Sequence, residues 1–443
     1  MKKSRYNHFF PYMESHHIAY NAMSNALALL DNEKYIIYQK FCNGEMVLPD
    51  ELAEDLKKGL FILDDSIDEL EVLRFRLLQT RFNTDHLSFT IVPTNDCNFR
   101  CSYCFEKDVL KNEYMSQDVQ DKIVDLLDNR KNLIASLSVS WFGGEPLLNF
   151  DVMESLSHRL MKICNENDIS YTANVITNGY LLTNDVLKRM KDLGIAYIQV
   201  TVDGLRELHD RKRPLADGSG TFDTIMNNLK NGKDLLPPVA LRINIDKNNL
   251  ASGEHIYQFL QENDLLTKVT PHYGMIANYT DANNETDCLN MCDFSEISYD
   301  YDMRTDANKS ARSRYPRQIA SYCGADSLSY YTFDAKGHIY KCWCDIGDTT
   351  RQVGNISEND GNFNLNSDLY LKYMMLDPTQ IEPCKSCDIL PICMGGCPYK
   401  RIKDITDNCS NHKFILEKIL MNATKAMTNT QAENEITCIE PTN

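Results

Sequence analysis

The chain has 443 residues, and 16 of them are cysteine. It carries 46 Lys and Arg against 63 Asp and Glu, a net charge of −17. Binding of nucleic acid or of anionic membranes requires a basic surface, so this charge argues against both functions. Hydrophobic residues at 43% and charged residues at 25% are values typical of folded globular proteins and exclude global disorder. The sequence has neither an apolar run of the roughly 20 residues that a membrane helix needs nor the apolar segment of a secretory signal. We therefore expect a cytoplasmic protein, in which disulfides are rare and so many cysteines indicate metal binding.

Residues 1–85 are predicted to form a small separate module. A helix over 50–58 should end at Gly59, and a second helix should open at Ser66, because Glu69 follows three residues later as in a capping box. Together with three short strands, these helices predict a winged-helix-like unit; the alternative is an N-terminal extension of the next domain. The predicted strands are broken by Asn and Asp and span 17–22, 25–30 and 35–41.

Residues 86–280 alternate between apolar runs and amphipathic stretches. This pattern predicts an α/β fold with a parallel sheet, either open or a partial (β/α)6 barrel, whose site lies at the carboxyl ends of the strands. The predicted strands span 87–93, 137–142, 172–177, 196–202, 239–245 and 267–274. The predicted helices span 117–128, 151–165, 184–191, 221–235 and 254–262.

The remainder of the chain is polar or rich in cysteine. Residues 281–322 predict a linker or insertion without regular structure. Residues 323–426 predict a lobe folded around metal and closed by a helix over about 412–426, and residues 427–443 predict a mobile tail.

Three cysteines lie on one loop after the first strand of the α/β region: Cys97, Cys101 and Cys104. Three thiolates can hold three irons of a [4Fe–4S] cluster and leave the fourth iron open, whereas zinc would require a further ligand such as His, which this loop lacks. The run CNFRCSYC resembles the signature of radical S-adenosylmethionine (SAM) enzymes. The resemblance implies that the open iron chelates SAM and that reductive cleavage yields a 5′-deoxyadenosyl radical, which takes a hydrogen atom from substrate.

Three more motifs match this family, each at the end of a predicted strand and in the family's order: Gly143-Gly144-Glu145, Thr177-Asn178-Gly179 and Thr201-Val202-Asp203-Gly204. Taken alone, a tripeptide such as Gly-Gly-Glu is more often a turn. The resemblance implies contacts of SAM with these residues: its adenine with Tyr103, its amino group with Gly143, Gly144 and Glu145, its ribose with Thr177 and Asn178, and its carboxylate with Arg213. Thr201 and Asp203, which match the family's SxDG pattern with Thr in place of Ser, are further SAM-binding residues that the resemblance implies.

The C-terminal cysteines follow the pattern C-x13-G-x4-C, then C-x2-C-x5-C-x3-C and a last cysteine. One or two zinc sites are the alternative reading, but the whole arrangement resembles the SPASM domain, which holds two auxiliary [4Fe–4S] clusters. The resemblance implies one cluster on Cys323, Cys342 and Cys397, and another on Cys384, Cys387, Cys393 and Cys409. The first set lacks a ligand. We favour Cys292 over Cys344 and Cys288, because Cys344 would face away from Cys342 in an extended segment; alternatively, an open iron binds a substrate thiolate.

The resemblance covers about residues 87–412 and implies a ribosomal-peptide maturase. Residues 1–85 match the leader-peptide recognition module of such enzymes, so we expect a precursor peptide as partner and thioether crosslinks as product, with flavodoxin or ferredoxin as reductant. Alternatives are a formylglycine-forming anaerobic sulfatase maturase and a carbon–carbon crosslinking or epimerising maturase. A non-catalytic iron–sulfur or zinc scaffold is a different class. No general base is assigned, since His272 and Asp246 near strand ends are more simply structural.

Overall fold

A computed structural model describes residues 1–276, 287–305, 315–359, 367–405 and 408–431. The chain divides into two compact units. The terminal unit comprises the described residues of 1–81, 308–323 and 376–443, and the barrel unit comprises those of 82–307 and 324–375. Among the helices of the described ranges, none has the length and apolar character needed to cross a membrane.

The N-terminal part of the terminal unit is built on an antiparallel three-stranded sheet in the order β2-β3-β4, and β1 pairs with β5. Its elements are β1 (Lys2–Lys3), β2 (Asn7–Tyr12), β3 (His16–Asn21), β4 (Ala26–Asp31), α1 (Asn32–Cys42), α2 (Asp50–Lys58), β5 (Ile62–Leu63) and α3 (Glu69–Arg81).

The helix over 50–58 is confirmed and is capped by Gly59. The strand predicted over 35–41 is wrong, because this segment lies in α1. The carboxylate of Asp31 caps α1 by accepting a hydrogen bond from the Lys34 amide at 2.8 Å, and this local bond outweighs the aromatic and β-branched content of the segment. The outer strand β2 has no counterpart in the sequence prediction.

The capping box predicted at Ser66 is also wrong, since α3 begins at Glu69. Asp68 takes the capping role instead: its carboxylate accepts hydrogen bonds from the amides of Leu70 and Glu71. The Glu69 carboxylate accepts from the Ser4 hydroxyl and the Arg5 amide. Glu69 therefore fixes the start of the chain to α3 rather than closing a cap.

The barrel unit contains a nine-stranded sheet in the order β11-β10-β9-β8-β7-β6-β12-β13-β14, in which β6 to β11 and β12 are parallel. The six parallel strands predicted over 86–280 are confirmed. The strands are β6 (His86–Ile91), β7 (Ser136–Trp141), β8 (Ser170–Thr177), β9 (Ile195–Val202), β10 (Val239–Ile245), β11 (Val269–Met275), β12 (Tyr330–Phe333), β13 (His338–Tyr340) and β14 (Gly354–Asn355). The helices are α4 (Gln117–Asp128), α5 (Phe150–Glu166), α6 (Asn184–Met190), α7 (Arg206–Lys212), α8 (Phe222–Asn231), α9 (Ser252–Glu262), α10 (Met291–Thr305), α11 (Ile356–Asn359) and α12 (Asp368–Met374).

The two faces of this sheet differ in chemistry. Alternate positions such as Phe89, Val139 and Val200 are fully buried in the apolar core with the helices. The intervening positions of neighbouring strands carry polar side chains in register, for example Ser88 opposite Ser138. Because these strands are parallel, their carboxyl ends and the polar loops that follow lie at one edge of the sheet.

Residues 281–322 were predicted to lack regular structure, and α10 (Met291–Thr305) contradicts this. The helix buries Tyr299 and Tyr301, and the ring of Tyr301 stacks on Tyr273 of β11 at 4.1 Å. The sequence shows no clear apolar face for this helix, because three of its five buried residues are polar: Ser295, Asp302 and Thr305. Residues 277–286 and 306–314 lie outside the described residues.

Three C-terminal helices belong to the terminal unit: α13 (Leu390–Cys393), α14 (Pro398–Ile402) and α15 (His412–Gln431). Helices α13 and α15 share an apolar core with the N-terminal strands, in which Tyr6, Tyr20, Leu390 and Leu420 are buried. The boundaries of the compact units differ from those of the predicted domains. Residues 324–375 were predicted to belong to the cysteine-rich lobe, but they belong to the barrel unit, whose sheet they join through β12. The closing helix runs beyond 426, and residues 432–443 of the predicted tail lie outside the described part.

Candidate active site

The loop with Cys97, Cys101 and Cys104 follows β6 at the carboxyl edge of the sheet. Backbone hydrogen bonds hold it to the segment after α7: the amides of Arg100 and Ser102 donate to the carbonyls of Pro214 and Lys212 at 2.9 and 3.0 Å. The three cysteines therefore lie on a loop with a fixed path.

Gly144 fixes the other side of this loop. A Cβ atom at Gly144 would lie 2.2 Å from the carbonyl oxygen of Asp96, the residue before Cys97. The next amide, that of Glu145, donates to the same carbonyl at 2.9 Å. The glycine is therefore required for the close approach of the two backbones, and this is a role distinct from the SAM contact that the sequence suggested.

The donor set of the loop suits an iron–sulfur cluster. Burial raises the pKa of the Cys97 and Cys101 thiols above the usual range and that of Cys104 to about 12, so the metal-free thiols are neutral and metal binding would release their protons. Within the described ranges, no group of three or more His, Cys, Asp or Glu side chains is arranged to hold a single metal ion. A cubane places its cysteine ligands on separate irons, which fits three thiols that do not converge on one point.

Glu145 is fully buried, and its carboxylate connects the ends of β7 and β8. One oxygen accepts from the Leu147 amide at 3.0 Å and the Thr177 hydroxyl at 2.7 Å, and the other accepts from the Asn178 amide at 2.8 Å. Burial raises the pKa of Glu145, and these three hydrogen bonds oppose the rise. A carboxylate has about four acceptor sites, and these hydrogen bonds occupy three of them.

The residues after β8 contact the cysteine loop directly. The Asn178 side chain donates to the side-chain oxygen of Asn98, between Cys97 and Cys101, at 2.8 Å. The Thr177 hydroxyl, which donates to Glu145, also accepts from the Gly179 amide at 3.0 Å. Both side chains predicted to contact ribose thus already bond within the protein.

The Tyr103 hydroxyl lies at the centre of a hydrogen-bond network. The network connects the cysteine loop, the residue after β9, strand β10 and the residue after α7. It donates to Asp203 Oδ1 at 2.7 Å, and it accepts from Arg213 Nη1 at 2.7 Å and from Asn244 Nδ2 at 3.0 Å. Asn244, on β10, was missed by the sequence analysis, and its only sequence signal is a polar residue near the end of a predicted strand. Thr201, at the end of β9, is buried in register with Arg242 of β10.

Asp203 and Arg213 keep unused hydrogen-bonding atoms inside this network. Asp203 Oδ2 and Arg213 Nε are buried and have no hydrogen-bond partner among the residues that the structure describes, although Arg213 Nη1 is 3.8 Å from Asp203 Oδ1. Burial raises the pKa of Asp203, and the neighbouring guanidinium opposes the rise. Buried polar atoms without partners are uncommon in folded proteins, so these two atoms are candidates for contact with a polar ligand.

His209 forms hydrogen bonds that connect the backbone of Asp203 to that of Arg213 through Thr221. Its Nδ1 accepts from the Asp203 amide at 3.2 Å, and its Nε2 donates to the Thr221 hydroxyl at 3.0 Å, since that hydroxyl donates onward to the Arg213 carbonyl. Burial, with the Arg213 charge, lowers the pKa of His209 to about 2, so the ring is neutral. His209 is therefore a positioning residue for Asp203 and Arg213.

The two residues set aside as bases have other surroundings. Asp246 forms an ion pair with Lys212 at the end of α7. Burial, with the nearby Arg242, lowers the pKa of His272 to about 4. Neither finding assigns a proton-transfer role to these side chains.

The predicted cysteines of the second auxiliary set lie together in the terminal unit. Cys384 interacts electrostatically with Cys387, Cys393 and Cys409, and Cys384 and Cys393 are buried. Arg401 Nη2 donates to the Cys384 sulfur at 2.9 Å, and Lys413 Nζ lies 3.6 Å from the Cys409 sulfur. Cations bound to sulfur stabilise thiolates, so this donor set also fits an iron–sulfur cluster.

The predicted first auxiliary set is divided between the units, with Cys342 in the barrel unit and Cys323 and Cys397 in the terminal unit. Cys292 is exposed in the first turn of α10. Cys344 was expected to face away from Cys342 only if the segment were extended. Residues Trp343–Asp345 instead form a 3-10 turn, so that condition is not met.

Residues 91–260 match the radical SAM superfamily. The chain is 24% identical over 375 residues to the cysteine-type anaerobic sulfatase-maturating enzyme of Clostridium novyi, covering 76% of this chain and 96% of that protein. It is 29% identical over 172 residues to the Fe-coproporphyrin III synthase of Methanosarcina barkeri, covering 38% of this chain and only 39% of that relative. The fold is similar to Streptococcus suis SuiB bound to its precursor peptide SuiA, with a TM-score of 0.54 and 17% identity over 92% of this chain and 98% of that chain. The cysteine loop and the Glu145 and Asp203 sites lie within the matched residues, which form a radical SAM domain.

Proposed function

We propose that this protein is a maturase that modifies a ribosomally made precursor peptide and forms thioether links from cysteine sulfur to carbon. The observation that carries the SAM-dependent part is the pair of unpartnered buried atoms, Asp203 Oδ2 and Arg213 Nε, beside three thiols on one loop. This pairing suits a ligand that has both charged and hydroxyl groups.

In this proposal Cys97, Cys101 and Cys104 hold a [4Fe–4S] cluster. When bound, the cluster and SAM supply a 5′-deoxyadenosyl radical. The remaining acceptor site of Glu145 would receive the amino group of SAM, as expected from the Gly143-Gly144-Glu145 motif. Arg213 would pair with the carboxylate, and its direction is set by the Tyr103 hydroxyl at 2.7 Å.

Asp203 would accept hydrogen bonds from the ribose, with Thr177, Asn178 and Thr201 lining the same region. The main contribution of these residues is orientation: they hold a flexible ligand in one geometry beside the cysteine loop.

The peptide partner is proposed from the terminal unit. We propose residues 1–85 as a winged-helix-like leader-recognition module, residues 86–280 as the SAM barrel and residues 323–426 as the auxiliary-cluster domain. Among the described residues, β2 and β4 are the outer strands of the three-stranded sheet, and an outer strand can pair with an extended peptide through main-chain hydrogen bonds. The likeness to SuiB in complex with SuiA, which covers 92% of this chain, supports this assignment.

Two auxiliary clusters complete the proposal. Cys323, Cys342 and Cys397 would hold the first cluster, and Cys384, Cys387, Cys393 and Cys409 the second. Flavodoxin or ferredoxin would serve as reductant.

A formylglycine-forming sulfatase maturase is the second candidate. It is favoured by the match that spans 96% of the Clostridium novyi enzyme. That match covers 76% of this chain, whereas the SuiB fold covers 92%, so the peptide-maturase proposal accounts for more of the chain.

The two candidates are separated by their substrates. Reconstituted protein with SAM and dithionite should be incubated either with a cysteine-rich precursor encoded beside its gene or with a sulfatase-derived Cys or Ser peptide. The proposal predicts a loss of about 2 Da per crosslink in the precursor, since each thioether removes two hydrogens, and protection of one cysteine from alkylation. Formylglycine in the sulfatase peptide, with no change in the precursor, would contradict it.

A further inference from the structure

The loop after α13 brings together two of the four cysteines proposed for the second auxiliary cluster. Cys393 is the last residue of α13. Gly396 adopts φ +75°, and a Cβ atom there would overlap the carbonyl oxygen of Asn408, the residue before Cys409. The Asn408 side chain also donates a hydrogen bond to the Gly395 carbonyl at 3.3 Å. These contacts hold the backbone before Cys409 against the loop after Cys393, within the terminal unit.

Arg401 connects this loop to a third cysteine. Its Nε donates to the Gly395 carbonyl, and its Nη2 donates to the Cys384 sulfur at 2.9 Å. The Cys387 amide donates to the Cys384 carbonyl at 3.0 Å and closes a 3-10 turn. Hydrogen bonds and close backbone contact thus gather the four cysteines in one region of the terminal unit, with the Arg401 guanidinium against one of the sulfurs.

The guanidinium gives this region a permanent positive charge, since Arg stays protonated throughout the pH range of folded proteins. Among the residues that the structure describes, no ion pair includes Arg401, so no carboxylate there neutralises its charge. The side chain is partly buried, which limits screening by salt. Lys413 supplies a second cation, 3.6 Å from the Cys409 sulfur, but its side chain is exposed.

We infer that Arg401 raises the reduction potential of the second auxiliary cluster. Reduction adds one electron, and therefore one negative charge, to a cluster and its thiolate ligands. A cation that donates a hydrogen bond to a ligand sulfur stabilises this more negative form, and such bonds are among the factors that set the potentials of iron–sulfur clusters. The inference rests on the proposed function, in which Cys384 and its three partners hold this cluster.

A raised potential suits an electron acceptor in the proposed reaction. Each thioether link takes a hydrogen atom from carbon and a proton from the thiol, so one electron is left over. Arg401 would favour transfer of this electron to the second cluster, and oxidised flavodoxin or ferredoxin would be the final acceptor.

The test is a redox titration of the full chain, reconstituted with iron and sulfide under anaerobic conditions and followed by EPR of the reduced clusters. The wild type should hold about twelve irons, four for each cluster. Arg401→Gln should keep them and lower one midpoint potential by about 59 mV, a tenfold change in the equilibrium constant of a one-electron couple. Lys413→Gln is the matched control. It should lower the same midpoint by less, and added salt should abolish its effect, because Lys413 is exposed.

Arg401→Lys separates the charge from the geometry of the loop. It retains the positive charge, so it should titrate closer to the wild type than Arg401→Gln does, and it decides the test if the glutamine variant loses iron. Unchanged midpoints in Arg401→Gln, an equal shift in Lys413→Gln, or a shift of about tenfold in Arg401→Lys would overturn the inference. Failure of the proposed function has a different signature, because the wild type would then hold fewer irons or leave the precursor peptide unmodified.

Discussion

Replacement of Tyr103 by Phe tests the network beside the cysteine loop. The change removes one oxygen that donates to Asp203 and accepts from Arg213 and Asn244, with bond lengths of 2.7, 2.7 and 3.0 Å. Two of these bonds involve charged groups, and each such bond contributes about 1.5–3 kcal/mol. Part of the loss is recovered, because Arg213 Nη1 is already 3.8 Å from Asp203 Oδ1 and can move into a direct ion pair.

That movement would turn the guanidinium away from a SAM carboxylate. We expect a net loss of about 2 kcal/mol in SAM binding, which is about a 30-fold rise in Kd. Equilibrium dialysis of labelled SAM with the reconstituted protein measures this value. Tyr257→Phe on the outer helix α9 is the control and should bind as the wild type does. A Tyr103→Phe protein with unchanged Kd would refute the role of the hydroxyl in positioning Arg213.

Gly144→Ala places a Cβ 2.2 Å from the Asp96 carbonyl, so it should displace the cysteine loop and remove about four irons; iron analysis decides, and a full iron content would contradict the close approach of the two backbones. Glu145→Gln turns one buried acceptor into a donor facing an amide, so urea unfolding under anaerobic conditions should show a loss of about 1.5–3 kcal/mol, and equal stability would contradict the three-bond geometry. His209 stays neutral in the fold while the unfolded chain binds a proton below about pH 6.5, so stability should fall by about 1.4 kcal/mol per pH unit below that value. Unfolding of His209→Asn should lack this slope, and parallel pH profiles would exclude the buried neutral ring.

The strands of the barrel were predictable because each strand is marked by an apolar run in its own residues. Runs such as 239–245 are apolar on one face and end in polar turns, and the strand β10 (Val239–Ile245) occupies the predicted residues. The α/β class follows from these strands, and the resemblance to radical SAM enzymes follows from the cysteine spacing and the motifs at the strand ends.

Errors arose where local bonds or distant partners decide the structure. Residues 35–41 are rich in aromatic and β-branched side chains, yet the Asp31 cap makes them helical. Cys344 was disfavoured on the assumption of an extended backbone, and the 3-10 turn removes that assumption. Asn244 is 141 residues from Tyr103 in the chain, so no local pattern connects them.

For the site residues, the positions could be predicted from the sequence but the hydrogen bonds could not. Their positions at strand ends follow from periodicity, since parallel strands bring their carboxyl ends to one edge. Their bonding does not: Thr177 and Asn178 bond to Glu145 and Asn98 across neighbouring loops, and only packing of the whole sheet determines such pairs.

The central claim is that the cysteine loop and its buried network support reductive cleavage of SAM. The most direct test is to reconstitute the protein anaerobically, add SAM and dithionite, and measure 5′-deoxyadenosine and methionine by chromatography. The account predicts that both products form with the wild type and that neither forms when Cys97, Cys101 and Cys104 are replaced by Ala. Bound zinc in place of iron, with no 5′-deoxyadenosine from the wild type, would contradict it.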